Sequence, residues 1–151
     1  MAFDNFFQAQ ELIIQRLQEQ VPGLGHVGGA RSLKEVFARN VAFPAALVLF
    51  NKHKPIKGQQ AAFGAFQGVE QLIEVVIVDD NQEDFTTGAG AREEAGPLIL
   101  QTINALIGWI PSEAHTNLKL ETAPPAAYVG GLAYFPLAFS TEVHLNAGAT
   151  L

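Results

Sequence analysis

Six consecutive residues, Leu106-Ile107-Gly108-Trp109-Ile110-Pro111, constrain this chain more than any other stretch. An apolar helical segment leads into them. Gly108 then suits the left-handed position that closes a helix, and Pro111 cannot continue one because it has no N–H to give. The only tryptophan sits between the two. The run therefore ends a helix and turns the chain toward the strands that follow. It contains no acid, base, nucleophile or metal ligand, so its role is structural. If Trp109 is fully buried, Trp109→Ala costs about 3–5 kcal/mol.

Helical spacing also marks the start of the chain. Phe6, Ala9, Ile13 and Leu17 fall on one face, with Gln8, Glu11, Gln15, Gln18 and Glu19 opposite, which predicts a helix over 6–20. Asp4 or Asn5 can cap it and Pro22-Gly23 stops it. A glycine-rich stretch over 23–29 leaves room for a short strand. Ser32 and Glu35 have capping-box spacing for a short second helix, with Leu33, Val36 and Phe37 as its buried stripe.

Strand signals follow. Residues 45–50 are apolar on both faces, as in a strand covered on both sides. Residues 51–68 are rich in Lys, Gln, Gly and Pro and read as a long loop or an extended hairpin arm. Residues 69–79 are the strongest strand, dense in β-branched side chains, and end in the acidic turn Asp79-Asp80-Asn81. In the third helix, Pro97 fits the first turn; alternatively the helix starts near Ala91 and bends at Gly96-Pro97. Leu118 and Leu120 alternate with polar neighbours in a half-buried strand. Phe135, Leu137, Phe139, Thr141 and Val143 alternate in a final strand, which Pro136 places at a sheet edge or a bulge. The tail over 146–151 reads as frayed.

These elements predict one α+β domain over 1–151. Its sheet is mainly antiparallel, with the N-terminal and central helices packed on one face. At 151 residues such a domain buries about two thirds of its unfolded surface. Only 16% of residues are charged, against about 25% in ordinary soluble domains. Few charges leave apolar surface for a partner, so the composition favours an oligomer. The formal net charge is −6, which argues against a nucleic-acid footprint. Lys52, Lys54 and Lys57 form a local exception. With no cysteine, disulfides and thiolate chemistry are excluded. The first residues lack the pattern of a signal peptide, and the longest apolar run, 41–50, is about half a membrane span, so a soluble cytosolic product with no membrane contact is expected.

No catalytic pattern emerges. His26, His53, His115 and His144 lack metal-pair spacing. Asp79, Asp80, Glu83 and Asp84 form the densest carboxylate cluster, but Asp84 stands where a calcium loop needs glycine, so a solvated strand-end turn is the better reading. Gly88-Ala89-Gly90 precedes a helix, yet Glu93 occupies the third glycine position and Glu93 and Glu94 repel phosphate. Ser32, Ser112 and Ser140 lack a nucleophile elbow. No catalytic residue, cofactor or metal ligand is assigned. A small metal-dependent hydrolase is the outside alternative. The 51–68 arm, with Lys52, Lys54, Lys57, Phe63 and Phe66, is the candidate partner or oligomer interface, because structureless loops of this length are uncommon in compact domains.

Taken in order, three landmarks resemble the phage tail terminator-like family, including its Mu-like Gp37 group. They are the amphipathic first helix with Val21-Pro22 and its glycine-rich turn; Pro44-Ala45-Ala46-Leu47-Val48 before the arm and the strong Val/Ile strand; and the Ala105–Pro111 corner followed by Gly130-Gly131 and the aromatic alternation from Tyr134 to Phe139. The resemblance spans about residues 3–144. It implies a non-enzymatic virion protein, assembled in the host cytoplasm, forming a hexameric ring on the head-proximal end of the tail. Such a ring halts polymerisation of the tail tube protein and meets a head-tail connector protein, and the sheath protein where the tail contracts. Genome DNA passes through without specific binding. An acidic lumen repels phosphates, so Asp79, Asp80, Glu83 and Asp84 are expected to line the channel. A head-tail connector or neck protein is the alternative.

Overall fold

A computed structural model describes residues 3–60, 65–80 and 89–146 of the chain. The element order is α1 (Gln8–Gln20), β1 (His26–Gly28), a 3₁₀ turn (Ala30–Ser32), α2 (Leu33–Phe37), β2 (Ala45–Gln60), β3 (Phe66–Asp80), α3 (Ala89–Leu106), β4 (Lys119–Glu121), β5 (Ala127–Val129) and β6 (Leu132–Asn146). The strands form one sheet in the order β1-β2-β3-β6-β4, with β5 also on β6. Every pair is antiparallel except β1 with β2. The fold is α+β.

Alternation along β3 places Ile73, Val75 and Ile77 on one face, where they join Ala46 and Val48 of β2 and Ala133, Phe135 and Phe139 of β6. Ala9, Ile13 and Leu17 of α1 and Ala95 and Leu106 of α3 cover this face. Each fully buried side chain such as Ile13, Leu17 or Ile73 contributes about 1.5–3 kcal/mol. On the other face a smaller core gathers Ala45, Leu47, Val78 and Leu132 under Val36 of α2. This explains the doubly apolar run of 45–50, which is covered on both sides.

Of the two readings of 51–68, the structure has the extended hairpin arm: β2 continues to Gln60 and β3 begins at Phe66, so residues 51–60 and 66–68 are strand. A ladder pairs Lys52–Pro55 with Val69–Leu72. Several other local expectations are corrected. The N-cap of α1 is Phe7, without a side-chain cap; Asn5 instead accepts the Phe7 N–H at 2.9 Å, starting a turn before the helix. Ser32 makes no capping box, because its hydroxyl bonds His26 Nε2 at 2.8 Å. Phe37 is 58% exposed rather than buried. Pro97 lies well inside α3, not in its first turn. Leu120 is exposed, while the buried member of its pair, Leu118, precedes β4.

Pro136 is not on an edge strand. β6 pairs with β3 in unbroken register from Leu132 to Asn146. On its other side β5 takes 132–134 and β4 takes 138–140, so Pro136 falls in the gap between them. A missing N–H there removes no bond to β4 or β5.

Candidate assembly surfaces

The arm is a hairpin of β2 and β3 running beyond the helices. Lys52, Lys54 and Lys57 are exposed on its edge strand. Lys54 stands opposite Glu70 and Lys52 opposite Leu72. Phe66 is half-buried and its ring stacks on His144 of β6 at 5.5 Å, so it anchors the arm to its own sheet. Phe63 lies outside the described residues.

The N-terminal segment straps the base of this arm. Phe6 packs on Phe50 at 5.6 Å and on His53 at 5.3 Å, and Phe7 on Phe50 at 5.1 Å. Gln71 of β3 donates to the Phe6 carbonyl at 2.8 Å. Phe3 meets His115 edge-on at 5.4 Å, beside the bridge from His115 to Val143 of β6. Beneath the strap lies a polar layer of Gln71, Thr141, His115 and Gln8, all buried. Thr141 donates to the Thr116 carbonyl at 2.7 Å. Burial pushes the His115 imidazole below its ordinary pKa.

At the opposite end of β3, the two described residues of the acidic cluster differ in exposure. Asp79 is 1% exposed, while Asp80 is half-buried. One Asp79 oxygen accepts the Asp80 N–H at 2.8 Å, and the other has no donor facing it. Burial, together with the neighbouring Glu94 carboxylate of α3, pushes the Asp79 carboxyl up to about 7. Glu83 and Asp84 lie outside the described residues. No sequence signal marked the burial of Asp79, because it depends on where α3 packs.

Apolar side chains remain uncovered. Leu100 and Ile107 of α3 are 60% and 46% exposed, and Ile110 of the corner is 56% exposed. Val129 of β5 is 65% exposed, near Phe37: Arg39 donates to the Gly130 carbonyl at 2.7 Å and Phe37 faces Tyr134. The low charge content of the sequence thus has a counterpart in exposed apolar surface on the single chain.

The histidines occupy separate surroundings: His26 on Ser32, His53 on Phe6, His115 on Ser112 and His144 on Phe66. Among the described residues no three His, Asp or Glu side chains gather to hold a metal. Ser112 Oγ and His115 Nδ1 are 2.6 Å apart, a pairing their three-residue spacing could have flagged. Ser112 Oγ also accepts the Ala114 N–H, and His115 Nε2 is buried with no carboxylate to orient it. The pair closes a turn and lacks the third group of a nucleophilic triad. Ser140 donates to Glu121 at 2.7 Å, tying β6 to β4.

A helix-backed sheet with a long hairpin arm and uncovered apolar side chains offers surfaces through which a protein can assemble with others. The family model described as "Phage tail terminator protein" matches residues 2–149. The chain therefore belongs to the phage tail terminator family, a family of structural proteins, not enzymes. Among solved structures it resembles a chain in the virion of a native gene transfer agent particle, with 14% identity, a TM-score of 0.61, and coverage of 95% of this chain and 99% of that one. At that identity the likeness is one of fold. No curated protein matches in sequence. Family and fold together make this a structural component of a phage tail.

Proposed function

We propose that the chain terminates the tail: copies close into a ring, six in number as the resemblance implies, on the head-proximal end of the tail tube. The ring stops polymerisation and presents a surface to the head-tail connector. The observation that carries this is the family match over nearly the whole chain. The exposed Leu100, Ile107 and Ile110 and the separate Phe37–Val129 surface support it, since a ring needs two different patches on each subunit. The arm, with Lys52, Lys54 and Lys57, reaches the tube or a neighbouring subunit. In a contractile tail the outer rim meets the last sheath ring.

The acidic end of β3 faces the channel in this arrangement, with Asp80, Glu83 and Asp84 repelling the phosphates of passing DNA. Asp79, buried in the single chain, lies beneath that surface rather than on it. Particles assembled without this chain test the role. Tubes of indefinite length are expected, and tubes of normal length would refute it. A ring structure with Asp80 on its outer rim would sink the channel assignment alone.

A further inference from the structure

Tail capping leaves one feature of the arm unexplained, the outward edge of β2. β1 pairs with β2 only as far as Leu47, and among the described residues no strand lies along that side beyond it. From Asn51 to Gly58 every residue except Ile56 is exposed. The inward side of Lys52–Pro55 is held in continuous register against Val69–Leu72. The backbone is therefore extended and fixed, with its outward N–H and C=O groups left for a further strand.

Charge narrows what that strand can be. Three of the chain's nine basic residues fall on this edge, in a chain of net charge −6. The side chains of Lys52, Lys54 and Lys57 make no hydrogen bond or ion pair among the described residues. The register shift after Phe50, the proline at 55 and the lysines themselves are the devices that deter indiscriminate edge pairing. They leave one kind of strand favoured, a segment that brings carboxylates at alternate positions to Lys52 and Lys54.

We propose that the outer edge of β2 at residues 52–55 is a strand-addition site for an extended, carboxylate-bearing segment of a different tail protein. A second copy is disfavoured: β2 against β2 sets lysine opposite lysine, and the far edge offers only two three-residue strands, β4 with Lys119 beside Glu121 and β5 with no carboxylate. Nucleic acid is disfavoured as well. An array of backbone donors and acceptors matches a polypeptide, and Glu70, Glu74 and Glu142 lie on the sheet face shared by Lys52 and Lys54. The proposal rests on the chain being a tail protein, not on its position along the tail.

Amide exchange of the purified protein, compared with the same chain in intact tail particles, tests it. Backbone amides at 52–54 are expected to exchange at least roughly tenfold more slowly in the particle; equal rates would overturn the proposal. The chain has no cysteine, so Asn51→Cys carries a single benzophenone probe. Cross-linking to a different polypeptide supports the assignment, and cross-linking to another copy of this chain overturns the occupant. Lys52→Glu/Lys54→Glu/Lys57→Glu, checked as folded by circular dichroism, is expected to lose incorporation into tails, whereas the triple arginine variant keeps it. Wild-type incorporation of the glutamate variant would refute the charge requirement. Gold-labelling the chain in particles locates it along the tail independently, so failure of the terminator role and failure of this site are separable.

Discussion

The guanidinium of Arg16 lies 5.1 Å from the centroid of the Trp109 ring, and its Nε donates to the Ala105 carbonyl at 3.0 Å. One side chain of α1 thus clamps both the end of α3 and the corner that follows it. The cation sits over the aromatic face and at the negative end of the helix, two favourable placements. Trp109 is half-buried, so the cost expected for a fully buried indole does not apply.

Trp109→Ala should destabilise the protein by about 1–3 kcal/mol in urea unfolding, less than full burial would cost. Arg16→Ala should lose a similar amount, and the double variant less than the sum. Strict additivity in this cycle would show that the two residues do not act together.

Gly108 has φ +78° and its N–H donates to the Leu118 carbonyl at 2.9 Å. An added Cβ meets nothing within 4 Å, so the strain of substitution is in the backbone alone. Gly108→Ala should cost about 1–2 kcal/mol by thermal unfolding. An unchanged melting temperature would contradict the left-handed conformation.

Asp79 and His115 should give stability opposite pH dependences. The folded pKa of Asp79 is raised from 3.8 to about 7, so the native state holds a proton that the unfolded chain releases. Stability from this group is full below about pH 4 and is lost as pH rises through 7. Asp79→Asn should therefore gain about 1–3 kcal/mol over wild type at pH 8 and little or nothing at pH 4. For His115 the folded pKa is lowered from 6.5, so stability is present above that value and is lost as pH falls below it. His115→Gln should flatten the acid side of the profile. Denaturant unfolding at pH 4, 6 and 8 checks both signs.

Phe6→Ala should loosen the strap without unfolding the sheet. The ring contacts with Phe50 and His53 are lost, while Ile73 and Phe139 stay buried in the main core. Amides of residues 3–8 should exchange faster by about an order of magnitude, with those of β3 little changed. Equal acceleration in both would mean that the strap and sheet open as one unit.

Much of the layout was legible because it is written in short-range pattern. The apolar faces of α1 and β3 have their own periodicity, and the stop at Gly108 and Pro111 follows from backbone geometry. The polar half of β2 was less so, since Lys52, Lys54 and Pro55 carry no strand signal; they are extended because Val69–Leu72 pairs with them. At the candidate surfaces the three lysines are exposed, while the Phe66 ring stacks on His144 of its own sheet, a long-range contact that no local pattern marks. Ser32 and Glu35 had the spacing of a cap, and a histidine on β1 took the hydroxyl instead.

By itself, then, the sequence determined an α+β chain, the position of its principal helices and strongest strand, and the corner between α3 and the last strands. These depend on side chains within a few turns of one another and on the fixed geometry of glycine and proline. Only the tertiary structure decided which carboxylate is buried, how the N-terminal segment straps the arm, and that an arginine 93 positions away in sequence rests on Trp109. Those outcomes are set by long-range packing, where two residues meet because a sheet and two helices hold them together.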